Sequence, residues 1–188
     1  MVAGHVRYYQ TCPGGDESGR RGHIKAVSFC SQMQCLVLVD EEGEPVRRAM
    51  SYMDNRASSL FGKGPALLHL LTWLRLTKAA PVSAKDPLWR YKWVEKHEPD
   101  CFARVHKWLD AKDYFACRLT GEVTMTEGSG FPTFLYDVRP GKHDWSEKLC
   151  RLAGVKMDHL PASSMRWACS RERKYTAAGV TPNSLVWG

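Results

Sequence analysis

Short apolar runs alternate with polar, turn-forming stretches in the first third of the chain. The runs His23–Cys30 and Cys35–Val39 are too short for helices and rich in β-branched or aromatic residues, which favours buried strands. The acidic segment 40–45 contains a glycine and predicts a turn. Strand character returns from Val46 to Met53. The pattern predicts a meander of two or three strands.

Longer segments with helical spacing follow, each with its own start or stop signal. The start signals include Pro87, Asp110 and Asp144, and Gly121 is a stop signal. They predict helices over 66–77, from Pro87 onward, over 98–109, 110–119, 145–153 and 171–178, with short strands at 123–126 and 184–187. Strands that alternate with helices indicate the α/β class, with a mixed sheet flanked by helices. Residues 1–22 are polar and broken by glycine and proline, which predicts an irregular segment before one domain over 23–188.

The composition narrows the function classes. The net charge of +7 admits nucleic-acid binding as an alternative, but the basic residues are scattered and form no stripe with interleaved aromatics, so we expect no nucleic-acid partner. Seven cysteines without a C-x-x-C pair fit reduced thiols, and we expect no metal site. No run of eighteen apolar residues occurs, so a cytoplasmic protein without a membrane partner is expected.

The quartet 31–34 between the first two predicted strands is unusual for a connection, because it holds two glutamines around a methionine. Glutamine amides both donate and accept hydrogen bonds, which suits a polyhydroxylated ligand. The alternative is that Gln32 and Gln34 only satisfy exposed strand ends.

An ordered series of short motifs gives the strongest signal in the chain. The segment SFCSQMQCLVLVDEEGEPVRRAMSYMDNRA resembles the FGGY carbohydrate kinases, and within them the xylulokinase-like pentulose kinases. PLWRYKWVEKHEPDCFARVHKWLDAKDYFACRLTGE and TEGSGFPTFLYDVRPGKHDWSEKLCRLAGVKMDHLP resemble later motifs of that family, in the same order. Any one of these motifs alone is a weak signal, whereas their order over most of the chain is specific.

The resemblance implies an incomplete N-terminal domain with the ribonuclease H-like, actin-like fold. It implies an ATP-dependent kinase that phosphorylates a sugar, most closely a ketopentose such as xylulose, with ATP and Mg as cofactors of the complete enzyme. By the same resemblance Met33 and Gln34 contact the sugar, Gln32 supports them, and Asp54 and Arg56 form the Asp-x-Arg motif beside them. An ion pair that closes a turn is the alternative role for the last two.

The resemblance also implies parts that this sequence does not show. The family's Asp-x-Gly-Thr phosphate hairpin does not occur, and the general base is expected just beyond Gly188. We therefore expect no catalytic residue here, no tightly bound cofactor and no turnover by the chain alone. A non-catalytic remnant that binds sugar or a partner protein is the alternative, and homo-oligomerisation or association through an exposed domain face stays open.

Overall fold

The computed structural model describes residues 30–61 and 67–164. Its helices are α1 (Ser58–Phe61), α2 (Leu67–Thr77), α3 (Pro87–His97), α4 (Pro99–Phe102), α5 (Ala111–Thr120), α6 (Glu127–Gly130) and α7 (Glu147–Ala153), with 3-10 turns at Phe131–Thr133 and Met157–His159. Its strands are β1 (Val37–Val39), β2 (Lys107–Leu109), β3 (Thr124–Thr126), β4 (Tyr136–Asp137), β5 (Asp144–Trp145) and β6 (Ala162–Ser164). The predicted segment 1–22, the strands 23–30 and 184–187, and the helix 171–178 lie outside the described residues, apart from Cys30.

The strands pair two by two. β1 runs antiparallel to β2, β4 runs antiparallel to β5, and β3 runs parallel to β6. The α/β class with parallel and antiparallel pairing is therefore confirmed. Within the described ranges the strands form three two-stranded sheets and not the single mixed sheet that the pattern suggests. Among these residues, none of the helices has the length and apolar content needed to cross a lipid bilayer.

The acidic turn after β1 is confirmed. Asp40 and Glu44 join their backbones across it, and Gly43 takes a φ of 78°. The continuous strand predicted over 46–53 is wrong, because the chain meets β1 only through bridges at Val39–Pro45 and Leu36–Met50. Between the two bridges the chain advances by three residues on the β1 side (36 to 39) and by five on the other side (45 to 50). The 45–50 segment therefore bulges by two residues.

The helix predicted over 98–109 is also wrong in its second half. Helix α4 ends at Phe102, and Lys107–Leu109 form β2 instead. Trp108 and Leu109 are fully buried opposite Leu38 and Val37. A long-range pairing with β1 therefore decides the conformation of a segment whose local spacing favours a helix.

Two helix ends show how local chemistry sets the elements around the site. Asp110 caps α5 through its own side chain, and Gly121 ends the helix in the left-handed conformation, as predicted. Helix α7 begins two residues later than predicted, with Ser146 and not Asp144 as its cap, because Asp144 and Trp145 pair with β4. The glycines at 128 and 130 predict a flexible bend over 128–130, but these residues lie in the helical turn α6.

One buried cluster joins β1, β2, α2, α3 and the segments around α7. Its centre is aromatic: the ring of Tyr91 stacks on Trp108 at 5.3 Å and meets Phe102 edge to face at 5.2 Å. Helix α3 is thereby packed beside the β1–β2 pair. This packing places the start of β1, where the quartet 31–34 ends, next to the first turn of α3.

Candidate functional site

The quartet 31–34 forms an exposed bend that leads into β1. Gln32 and Met33 are exposed, with Met33 66% accessible, whereas Gln34 is half-buried. The amide nitrogen of Gln32 lies 2.9 Å from Sγ of the buried Cys35. The backbone of Gln34 is left-handed, with φ 63°. The bend therefore presents two amide side chains and a thioether at the surface.

Asp54 and Arg56 form a two-pronged ion pair in the loop that leads to α1. Nη2 and Nε of Arg56 lie 2.6 and 3.0 Å from the carboxylate of Asp54, which also accepts the backbone N–H of Arg56. These hydrogen bonds lower the pKa of Asp54 and raise the pKa of Arg56. The Arg56 guanidinium also lies 4.8 Å from the ring centre of Trp93. The ion pair considered from the sequence is present, and a ligand role for the two residues stays a prediction.

Arg90 of α3 links the bend to this loop. Its side chain is fully buried, and its two terminal nitrogens donate to the backbone carbonyls of Gln34 at 2.6 Å, Lys85 at 2.9 Å and Met50 at 3.3 Å, and to that of Ser51. One guanidinium thus bonds to carbonyls on both segments, which brings the bend and the start of the 51–56 loop together. Sequence reasoning missed Arg90.

Asp110 holds the other side of the bend. Its carboxylate accepts the N–H groups of Gln34 at 3.2 Å and Cys35 at 3.1 Å, in addition to that of Ala111 at 2.6 Å. Burial raises the pKa of Asp110 to about 6, against the opposing effect of these hydrogen bonds. The acidic residue at the start of α5 was predicted, but its contact with a bend 75 residues away was not.

The other carboxylates near the predicted motifs have structural partners. Asp113 is buried and accepts the backbone N–H of Thr126 at 3.2 Å, which ties α5 to the end of β3. Asp137 pairs with Arg139 at 2.7 Å, and Glu127 lies 2.8 Å from Nδ1 of His143. Within the described ranges, no group of three or more His, Cys, Asp or Glu residues could hold a metal ion.

Residues 17–180 match the N-terminal domain of the FGGY family of carbohydrate kinases, which is most of the chain. The chain belongs to this family. The FGGY chain is 28% identical over 167 residues to a xylulose kinase of Staphylococcus xylosus, covering 87% of itself and 34% of that protein. It is 27% identical over 139 residues to the xylulose kinase of Escherichia coli, covering 74% of itself and 28% of that protein. The chain thus spans about a third of the length of these curated relatives.

Solved structures of FGGY proteins share the fold. A ligand-bound xylulose kinase from Lactobacillus acidophilus superposes with a TM-score of 0.66 at 22% identity, covering 84% of this chain and 30% of that one. A Plasmodium falciparum glycerol kinase with ADP gives 0.71 at 16% identity, covering 87% of this chain and 33% of that one. The expected actin-like fold is therefore confirmed.

Proposed function

We propose that this chain supplies the sugar-binding part of an ATP-dependent carbohydrate kinase whose substrate is a ketopentose such as xylulose. Membership of the FGGY family supports the reaction class. The main observation in support of a sugar site is that the bend 31–34 lies beside the 51–56 loop. Both segments accept hydrogen bonds from the guanidinium of Arg90. We further propose that residues 23–188 act as one partial sugar-binding domain.

The side chains on these two segments suit a sugar. The amides of Gln32 and Gln34 can donate to and accept from hydroxyl groups, and Asp54 and Arg56 offer an acceptor and a donor next to each other. Met33, Tyr52 and Met53 are exposed apolar side chains on the same segments, 66%, 45% and 66% accessible. Such side chains can contact the C–H faces of a sugar while the polar groups bind its hydroxyls.

The chemistry of transfer needs a proton acceptor near the sugar hydroxyl. None of the described carboxylates beside the bend suits this task, since Asp54 is neutralised by Arg56 and Asp110 is turned toward three backbone N–H groups. The described residues likewise do not fit Mg-ATP, because they contain neither the Asp-x-Gly-Thr hairpin nor a carboxylate cluster. We therefore place the base and the nucleotide site outside the described residues.

The charge pattern supports a sugar more than a nucleic acid. Among the described residues, five arginines, at positions 47, 56, 118, 139 and 151, pair with carboxylates. Arg90 and Arg104 donate to backbone carbonyls. Because phosphate binding needs unpaired basic groups on one face, this pairing weakens the nucleic-acid alternative.

Calorimetric titration of the 188-residue chain with xylulose, ribulose and glycerol tests the proposal. We expect binding of a pentulose and weaker binding of glycerol, with no phosphorylation in an ADP-release assay. Met33→Ala should weaken pentulose binding about tenfold, because it removes an apolar contact made only in the complex. Met157→Ala, at a partly exposed methionine far from the bend in sequence, is the matched control.

Two results would contradict the proposal in different ways. Absence of pentulose binding by a folded chain would refute the sugar site. Release of ADP that depends on a pentulose would keep the sugar site but show that the base lies within these 188 residues.

A further inference from the structure

Gln34 adopts a conformation that its side chain disfavours. Its φ of 63° lies in the left-handed region, which residues with a Cβ rarely adopt. Such a conformation persists only where the surroundings determine it, and it is common at ligand-binding sites. The neighbours of Gln34 should therefore supply an identifiable restraint.

Two buried side chains of opposite charge bind both polar groups of the Gln34 backbone. Asp110 accepts its N–H at 3.2 Å, and Arg90 donates to its C=O at 2.6 Å. Asp110 is 4% exposed and Arg90 is fully buried, so hydrogen bonds to these charges are little weakened by water. The two residues come from different helical segments, which fixes the bend relative to both α3 and α5.

Arg90 uses its charge on the backbone and not on an ion pair. None of the ion pairs within 30–61 and 67–164 includes Arg90, and its Nε has no hydrogen-bond partner there. A buried guanidinium is costly unless its donors are satisfied. Arg90 offsets this cost because its terminal nitrogens donate to the backbone carbonyls of Gln34, Lys85, Met50 and Ser51.

We propose that Asp110 and Arg90 are positioning residues of the sugar-binding bend, which they hold through the N–H and C=O groups of Gln34. This inference rests on the proposed function. The pair keeps Met33 and Gln34 at the surface beside the 51–56 loop, so that the bend is formed before the sugar arrives. Preformed geometry of this kind favours binding because less conformational freedom is lost in the complex.

Backbone amide exchange, measured by NMR on the 188-residue chain without ligand, tests the restraint. In Asp110→Asn and in Arg90→Lys we expect protection of the Cys35 N–H to fall about tenfold relative to that of the Ser146 N–H. The Ser146 N–H, which bonds to Leu135 far from the bend in sequence, is the internal reference. Arg104→Lys, which alters an exposed arginine bonded to Val46, is the matched control.

A rescue variant separates restraint of the bend from general loss of packing. Gln34→Gly in the Arg90→Lys background should restore most of the Cys35 protection, because glycine adopts positive φ without strain. A uniform fall at Cys35 and Ser146 alike, or no fall at Cys35, would overturn the proposal.

Titration with xylulose completes the experiment. We expect Arg90→Lys to weaken xylulose binding at least about tenfold while Arg104→Lys leaves it unchanged. Equal affinity of Arg90→Lys and wild type would overturn the link between the restraint and the sugar. A further outcome is that the variants lose Cys35 protection selectively while the wild-type chain binds no xylulose. That result would refute the proposed function and leave the restraint of the bend standing.

Discussion

The phenol hydroxyl of Tyr91 lies 2.9 Å from Nδ1 of His159, and both side chains are buried. The same hydroxyl oxygen accepts the backbone N–H of Lys156 at 3.4 Å. Burial, with a smaller effect of nearby lysines, lowers the pKa of His159 to about 4. In the tautomer with its proton on Nε2, the neutral imidazole accepts at Nδ1 a hydrogen bond from the phenol hydroxyl, and the pair joins α3 to the segment that precedes β6.

This pair predicts a loss of stability on acidification. Because the pKa of His159 is about 4 in the folded chain and 6.5 ordinarily, the unfolded chain binds more protons between these values. The stability that the chain has with neutral His159 is therefore fully present above pH 6.5 and is lost as pH falls toward 4. Between pH 7 and pH 5 we expect wild type to lose about 2 kcal/mol more than His159→Gln, measured by urea unfolding.

A second titrating group and a control variant bear on that prediction. Asp110, whose pKa is raised to about 6, titrates in the same interval with the opposite sign, but it is present in both proteins and cancels in the difference. His69→Gln, at an exposed histidine of α2, should reproduce the wild-type profile. Parallel profiles of wild type and His159→Gln would show that the buried imidazole does not control the acid response.

Two buried tryptophans differ in one hydrogen bond. The indole N–H of Trp73 donates to the carbonyl of Phe134 at 2.9 Å, whereas Nε1 of Trp108 has no partner within the described ranges. Both side chains are at most 2% exposed, so Trp→Phe removes similar packing from each. Trp73→Phe should destabilise the chain by roughly 1–2 kcal/mol more than Trp108→Phe, because it leaves a buried carbonyl unsatisfied. Equal losses in chemical denaturation would show that the hydrogen bond contributes nothing net.

Two glycines with the same backbone conformation differ in the space around them. Gly43 and Gly121 have φ values of 78° and 74°, so alanine at either position costs about 1 kcal/mol in backbone strain. A Cβ on Gly43 would also lie 3.3 Å from Sγ of Cys117, whereas nothing lies within 4 Å at Gly121. We expect Gly43→Ala to lower the melting temperature more than Gly121→Ala.

A double-variant cycle isolates the contact at Gly43. In a Cys117→Ala background the Sγ atom is removed, so Gly43→Ala should then cost no more than Gly121→Ala. If the excess cost persists in that background, the sulfur contact is not its cause.

Local signals predicted the elements that carry their own start and stop residues. Pro87 opens α3, and Gly121 ends α5 where expected. The end of the segment 98–109 could not be predicted in this way, because Trp108 and Leu109 are held by a partner strand about 70 residues away in sequence. Contacts of that range leave no trace in local periodicity.

In the candidate site, too, local signals were predictive and long-range contacts were not. The quartet 31–34 was identified from its residue types as a polar connection, but its exposure and the side chains that hold it were not predicted. One signal for Arg90 was available, because Pro87, Tyr91 and Val94 mark the buried face of α3 and Arg90 lies on that face. A charged residue at a core position indicates bonds to buried polar groups, but the sequence does not show which carbonyls receive them.

Glu98 connects the 47–56 segment to the end of α3. Its carboxylate accepts two hydrogen bonds from the nearly buried Arg47, at 2.6 and 3.1 Å, and lies 3.9 Å from Nη1 of Arg56. The hydrogen bonds from Arg47 lower the pKa of Glu98. The stability that the ionised Glu98 contributes is therefore present above the ordinary carboxyl pKa and is lost in acid.

Glu98→Gln should therefore destabilise the chain by about 1–3 kcal/mol at pH 7, because it leaves the Arg47 guanidinium without its counter-charge in a largely buried position. Urea unfolding measures the loss, which should shrink as pH falls toward 4. Glu44→Gln breaks the exposed pair with Arg118 and should cost no more than about 0.5 kcal/mol. The different exposure of the two arginines explains this contrast, since water and salt screen the Arg118 pair but reach Arg47 poorly. Equal costs for the two variants would mean that the Arg47 pair is solvated as fully as the surface pair.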